Sequence, residues 1–168
     1  MTADELERCM RKYYKSVYSM ALCYCKNPSD ADDIAQDVFL KLFTCDGSFE
    51  SDEQLRSWLL KCAVNRSINI LRSGWHRLSR PLDDAENISS SDSYDEESTL
   101  FRLITKLGKN SRTALYLYYY EHYTVPEIAR ITGVSETAVR SRLARGRRQL
   151  KKLLENERNG YYGLREDL

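Results

Sequence analysis

Between residues 136 and 152 the chain carries seven cations, Arg140, Arg142, Arg145, Arg147, Arg148, Lys151 and Lys152, against one acid, Glu136. Their common chemistry is attraction to phosphate. Val139, Leu143, Leu150 and Leu154 recur among them at helical spacing, so one stripe of a helix meets a core while the other faces stay cationic. The preceding residues complete a device. Thr124 and Glu127 have capping-box spacing, in which the Thr hydroxyl accepts from an orphan N–H and the Glu reaches back. Pro126 falls in the first turn, where a missing N–H does no harm. Val125, Ile128 and Ala129 give this short helix an apolar face; Gly133 permits a sharp turn, and Ser135 is a good N-cap for the basic helix. Short helix, glycine turn, basic helix is the order of a DNA-binding helix-turn-helix. The rival account is a solvated basic face, and the glycine and cap at the required places tell against it. Gly146 is out of keeping, since a mid-helix glycine costs about 1 kcal/mol against alanine. Either close packing or a backbone approach would explain it.

Two earlier stretches also bring chemistry-bearing residues onto one face. In a helix predicted over 53–73, Trp58, Lys61, Asn65, Asn69 and Arg72 step by 3, 4, 4 and 3. A ring that stacks on a base, amides that bond base edges and cations that hold phosphates suit single-stranded nucleic acid. Taken alone, the pattern favours the plainer account, with Trp58 in the core and the polar residues facing water. In a helix predicted over 30–44, Ala31, Ile34, Ala35, Val38 and Leu42 form a core stripe, and Asp33, Gln36, Asp37 and Leu40 lie opposite. That second face is either a solvated acidic surface or a docking patch for a basic partner, with Leu40 as its apolar anchor. Spacing does not choose between them.

These elements sit in a chain of 168 residues, enough for one ordinary domain or two small ones. Apolar periodicity predicts further helices over 4–25, from Thr99 to Leu107 and over 110–122, with Asn27-Pro28-Ser29 separating the first two of the chain. The tyrosine-rich stretch 116–123 is expected to supply core and rim of a small helical domain rather than a stacking platform. Net charge is +1 overall but 0 over residues 1–78, −6 over 79–98 and +7 over 99–168. The acidic segment 83–98 is Ser-rich and almost without apolar residues, the composition of a flexible linker. The tail after Asn156, with Gly160 and Gly163, is expected to fray. Five cysteines, Cys9, Cys23, Cys25, Cys45 and Cys62, form no disulfide framework, and Cys23-x-Cys25 has no second nearby pair to complete a zinc site. Buried, reduced thiols are the better account. No apolar run approaches the roughly 18 residues of a membrane span, and a soluble cytoplasmic protein without membrane contact is expected. Nucleophile–base spacing, metal cluster and phosphate loop are all missing, so no catalytic residue, metal or cofactor is expected.

Three stretches, DADDIAQDVFLKLF (30–43), SWLLKCAVNRSINILRS (57–73) and YEHYTVPEIARITGVSETAVRSRLARGRRQLKKLL (120–154), stand in a recognisable order. With them the chain resembles the extracytoplasmic-function group of bacterial RNA polymerase sigma factors, in the sigma-70 family. The resemblance implies an all-α fold: a sigma-two-like domain over 1–80, an acidic linker over 81–98, a sigma-four-like helix-turn-helix domain over 99–156 and a tail over 157–168. It implies as partners core RNA polymerase, through the beta-prime clamp and beta flap, promoter DNA, and an anti-sigma factor. Asp33, Gln36, Asp37 and Leu40 then match the clamp-docking face. Ser48, Phe49 and Glu50 match the loop that frames a flipped minus-ten base, with Lys61, Asn65, Asn69 and Arg72 along the adjoining helix. Ser135, Thr137, Arg140, Ser141, Ala144, Arg145 and Arg148 match the helix that reads the minus-thirty-five element. The basic run after the sigma-two helix is weaker than in the family, consisting of Arg72, His76, Arg77 and Arg80. A stand-alone helix-turn-helix regulator that never binds polymerase is the alternative, as is a sigma-like decoy that binds polymerase without directing initiation.

Overall fold

The structure, a computed structural model, describes residues 1–73 and 98–166, with side chains over 1–73 and 100–159. Among the described residues the chain forms helices α1 (Ala3–Cys25), α2 (Pro28–Thr44), α3 (Asp52–Arg72), α4 (Ser98–Thr105), α5 (Lys109–Tyr119), α6 (Val125–Thr132) and α7 (Glu136–Glu166). They divide into two compact units, one around α1–α3 and one around α4, α5 and α7. The expected all-α architecture of two helical units is thus present. The linker expected over 81–98 lies outside the described residues except for Ser98, as do His76, Arg77 and Arg80.

In the first unit, local chemistry sets each helix end. Thr2 and Glu5 form a reciprocal capping box at the start of α1, with N–H to oxygen distances of 3.2 and 2.7 Å. Lys26 turns left-handed, with φ 53°, to end that helix. Asn27 caps α2 by accepting the Asp30 N–H at 2.9 Å, and Pro28 occupies the first turn. The helix therefore begins two residues before the predicted start, because Pro supplies helical φ without needing its missing donor. Ser51 caps α3 through the Gln54 N–H at 3.1 Å. The three helices pack against one another around Met20, Ile34, Phe39, Leu42, Leu59 and Leu60, all buried. Each such side chain contributes about 1.5–3 kcal/mol on leaving water. An ion pair between Lys12 and Asp52 ties α1 to the start of α3.

In the second unit α5 ends at Tyr119, three residues short of the predicted helix. His122 adopts φ 58°, and the Tyr123 N–H bonds the Leu117 carbonyl at 3.0 Å, closing the helix in a left-handed turn. Buried Glu121 accepts the Tyr116 hydroxyl at 2.6 Å beneath this corner. Tyr116 and Tyr123 are buried while Tyr118 and Tyr119 are exposed, so the tyrosine run is core and rim as expected. Buried Arg112 donates to the Leu107 carbonyl at 2.9 Å, satisfying the end of α4. The helix α7 continues past Asn156 to Glu166, and Arg102 of α4 pairs with Glu157 at 2.8 Å.

Gly146 finds its reason here. A Cβ at this position would lie 2.8 Å from Leu115 Cδ1 and 3.2 Å from Ser111 Cβ. Close packing, with α5 crossing α7 at the glycine, is therefore the explanation. It sets the depth at which α7 sits.

Candidate nucleic-acid interfaces

The helix-turn-helix forms from α6, the Gly133 turn and α7. Glu127 reaches back as expected, taking the Thr124 backbone N–H at 2.7 Å. The Thr124 hydroxyl differs from expectation, because it donates to the same carboxylate at 2.7 Å. An ionised carboxylate is the stronger acceptor for that proton. The hydroxyl bond and then the backbone bond hold the Glu127 carboxyl below its ordinary range. Gly133 has φ 71°, a conformation that any side chain would strain. Ser135 then accepts the Ala138 N–H at 3.1 Å, starting α7 as the sequence implied.

Along α7 the apolar stripe holds at Val139 and Leu143, both buried, is half-buried at Leu150, and leaves the core at Leu154, which is 47% exposed. The expected stripe is therefore shorter by its last member. Ser135, Thr137, Arg140, Ser141, Ala144, Arg145 and Arg148 are all exposed, and from Thr137 to Arg148 they occupy the side opposite that stripe. Arg140 pairs with Glu136 at 3.1 Å. Both partners are exposed, so the pair holds Arg140 by only about 0.3–0.5 kcal/mol and yields easily to a better acceptor.

The first unit presents a different surface. Lys61, Asn65, Asn69 and Arg72 are exposed in a row along α3. Trp58, at the N-terminal end of that row, is half-buried. The Phe49 ring meets it edge to face at 5.4 Å, and Lys41 Nζ lies 5.6 Å from its centroid. It is thus neither an open stacking platform nor a core residue. It braces the loop before α3. Within that loop Ser48 and Glu50 are exposed, Phe49 is half-buried, and the Glu50 N–H donates to Gln54 Oε1 at 2.6 Å.

On α2, Asp33, Gln36 and Leu40 are exposed, Leu40 by 61%, and Asp37 is half-buried. Asp37 is already paired with Arg66 of α3 at 2.6 Å, so one acid of this face is engaged within the unit. Phe43, three residues beyond Leu40 and seven beyond Gln36, is 43% exposed and adds a second apolar group to the same surface. The spacing could have revealed Phe43. Lys41 could not be found that way, because its partner lies on another helix.

Cys9, Cys23, Cys25 and Cys62 are buried, as expected for packing thiols, whereas Cys45 is half-exposed. Burial pushes the Cys9 and Cys62 thiols above their ordinary range, the opposite of what a reactive thiolate needs. No helix among the described residues is long and apolar enough to cross a membrane.

A helical unit bearing a helix face of amides and cations, followed by a second unit built on a helix-turn-helix with a cationic outer surface, is the class of molecule these elements define. Comparison with known proteins places it. Residues 9–77 match the family model of sigma-70 region 2 and residues 98–150 that of sigma-70 region 4. The chain is 31% identical over 139 residues to the RNA polymerase sigma factor NccH of Alcaligenes xylosoxydans xylosoxydans, covering 76% of this chain and 75% of that protein. It is 29% identical over 149 residues to the ECF RNA polymerase sigma factor SigM of Mycobacterium tuberculosis, covering 88% and 76% respectively. Among solved structures, its fold is similar to that of the sigma factor RpoE in complex with the anti-sigma factor NepR from Bartonella quintana. There the TM-score is 0.73 at 18% identity, covering 91% of this chain and 98% of that one. The chain belongs to the sigma-70 family of RNA polymerase sigma factors. A stand-alone regulator is not favoured, since the region 2 match accounts for the half that such a protein would leave without a role.

Proposed function

We propose that this sigma factor directs promoter-specific initiation by binding core RNA polymerase, reading a minus-thirty-five duplex with α7 and opening the minus-ten element against α3. The observation that carries this reading is the segregation on α7, where Thr137, Arg140, Ser141, Ala144, Arg145 and Arg148 are exposed while Val139 and Leu143 are buried. Arg140, Ser141, Ala144 and Arg145 meet base edges, flanked by Ser135, Thr137 and Arg148. One arginine bidentate to guanine discriminates by about 1–3 kcal/mol. Arg140→Ala is therefore expected to lower preference for a matched over a scrambled upstream element by about that amount, measured by competition binding.

In the first unit, Asn65 and Asn69 bond base edges, Lys61 and Arg72 hold phosphates, and Ser48, Phe49 and Glu50 frame the pocket for a flipped base. Unstacking that base costs a few kcal/mol, which the pocket must offset. Asp33, Gln36, Asp37 and Leu40 dock on the beta-prime clamp, and the second unit meets the beta flap. Residues 1–80 then form the docking and melting domain, 81–98 the linker, 99–156 the duplex-reading domain and 157–168 a tail. Polymerase performs the chemistry in the cytoplasm, and this subunit contributes binding energy alone. An anti-sigma protein is the class of partner that would keep it from polymerase. Run-off transcription by core polymerase on a genomic library tests the whole reading. New starts that share two spaced upstream elements are expected; core binding without new starts would instead make the protein a decoy.

A further inference from the structure

Arg147 is a cation of α7 that the structure holds in place. Its Nε–H donates to the Tyr119 hydroxyl at 2.9 Å. Its guanidinium carbon lies 5.3 Å from the Tyr118 ring centroid and 5.7 Å from that of Tyr119. The two rings meet edge to face at 5.0 Å, and both stand at the surface, 36% and 41% exposed. Among the described residues no carboxylate pairs with Arg147, whereas Arg140 has Glu136 and Arg102 has Glu157. A guanidinium fixed by two rings and one N–H keeps its two terminal nitrogens for an acceptor of matching geometry. A phosphodiester is such an acceptor, and the arginine fork suits it better than a lysine ammonium does. Because the side chain is ordered beforehand, little rotamer freedom is lost on contact.

Position points to the same ligand. Arg140, Ala144, Arg147 and Lys151 step by 4, 3 and 4 and so form one row along α7. Seven residues at 1.5 Å each place Arg147 about 10 Å down the axis from Arg140. The major groove is about 12 Å wide. A helix whose first turns meet base edges in the groove brings its later turns to the backbone wall. We propose that Tyr118, Tyr119 and Arg147 form a phosphate clamp that grips the duplex backbone beside the groove entered by α7. The clamp rests on the reading of α7 as the duplex-reading helix. It is blind to sequence. The Tyr119 hydroxyl, accepting from Arg147, keeps its own proton for a second phosphate oxygen.

The test uses the full-length protein, a duplex selected from a random pool by the wild-type chain, and a scrambled version of that duplex, each titrated across KCl concentrations. Arg147→Gln keeps a planar polar end and removes the charge. It is expected to make the slope of log K against log salt shallower by about one on both duplexes. The wild-type advantage then shrinks about threefold between roughly 50 and 200 mM salt. Tyr119→Phe should weaken both duplexes equally and by less. Arg147→Lys, which keeps the charge, should preserve the slope even if removing the charge unsettles the fold; a lost slope there contradicts the clamp. An unchanged slope in Arg147→Gln, with Arg140→Ala still losing discrimination, overturns the clamp and leaves the α7 reading standing. If the wild-type chain itself fails to select any duplex, both fall.

Discussion

The exposed faces of α7 and α3 are both polar rows on single helices, yet they are supported in opposite ways. The α7 face is set chiefly by neighbouring residues, a glycine turn at Gly133 and a serine cap at Ser135, with one distant contact where Gly146 meets Leu115 and Ser111 of α5. The α3 face depends more on other elements: Trp58 on Lys41 of α2 and on Phe49 of the preceding loop, and Arg66 on Asp37 of α2. Their chemistry differs to match. Cations dominate α7, where a duplex presents an even array of phosphates. On α3 two amides, Asn65 and Asn69, stand between two cations, Lys61 and Arg72, with an aromatic pair at one end, which suits bases removed from the stack. A rigid rod can be read by a face built from one continuous segment. A strand held open needs a pocket assembled from several.

The largest expected effect on this comparison comes from Gly146→Val. The added carbons meet Leu115 and Ser111 where even a single Cβ lies within 3.2 Å of both. Overpacking of this kind costs about 1–3 kcal/mol. Denaturant titration should show that loss, together with weaker duplex binding and unimpaired binding of single strands to the first unit. Ser135→Ala comes next, at about 1 kcal/mol for a lost N-cap. Thermal melting should report it, and duplex affinity should fall with it because the cap sets the entry of α7. Equal losses on duplex and single strand in either variant would mean that the two faces are not independent.

Much of this was legible in the sequence where support is local. Asn27, Ser135 and Gly133 announce their roles because a cap or a turn is decided within three or four residues. The exposed row from Thr137 to Arg148 follows from helical spacing once Val139 and Leu143 are placed in the core. Other features were not legible, for a physical reason. Trp58 was divided between core and stacking platform, and its bracing of Phe49 depends on a contact between a loop and a helix that periodicity does not encode. Gly146 gave its cost but not its purpose, which lies in Leu115 of another helix. The end of α5 was missed because the left-handed turn falls on His122, and residues other than glycine seldom adopt it.

A smaller effect depends on pH. The Thr124 hydroxyl and N–H hold the Glu127 carboxyl below its ordinary value in the folded state. Its contribution is therefore present above the unfolded pKa and is lost as pH falls through the folded one. Melting temperature measured from neutral towards acid pH should fall less steeply in Glu127→Gln than in wild type over that window. Because Glu127 is only half-buried, the difference will be slight.

The division of labour between the two faces is tested most directly by permanganate reactivity of promoter thymines in holoenzyme carrying the Asn65→Ala, Asn69→Ala double variant. The account predicts that the upstream duplex footprint persists while thymine reactivity at the minus-ten element is lost, with Arg140→Ala giving the reverse weighting. Full thymine reactivity in the double variant, or loss of the upstream footprint along with it, would contradict the assignment of single strand to α3 and duplex to α7.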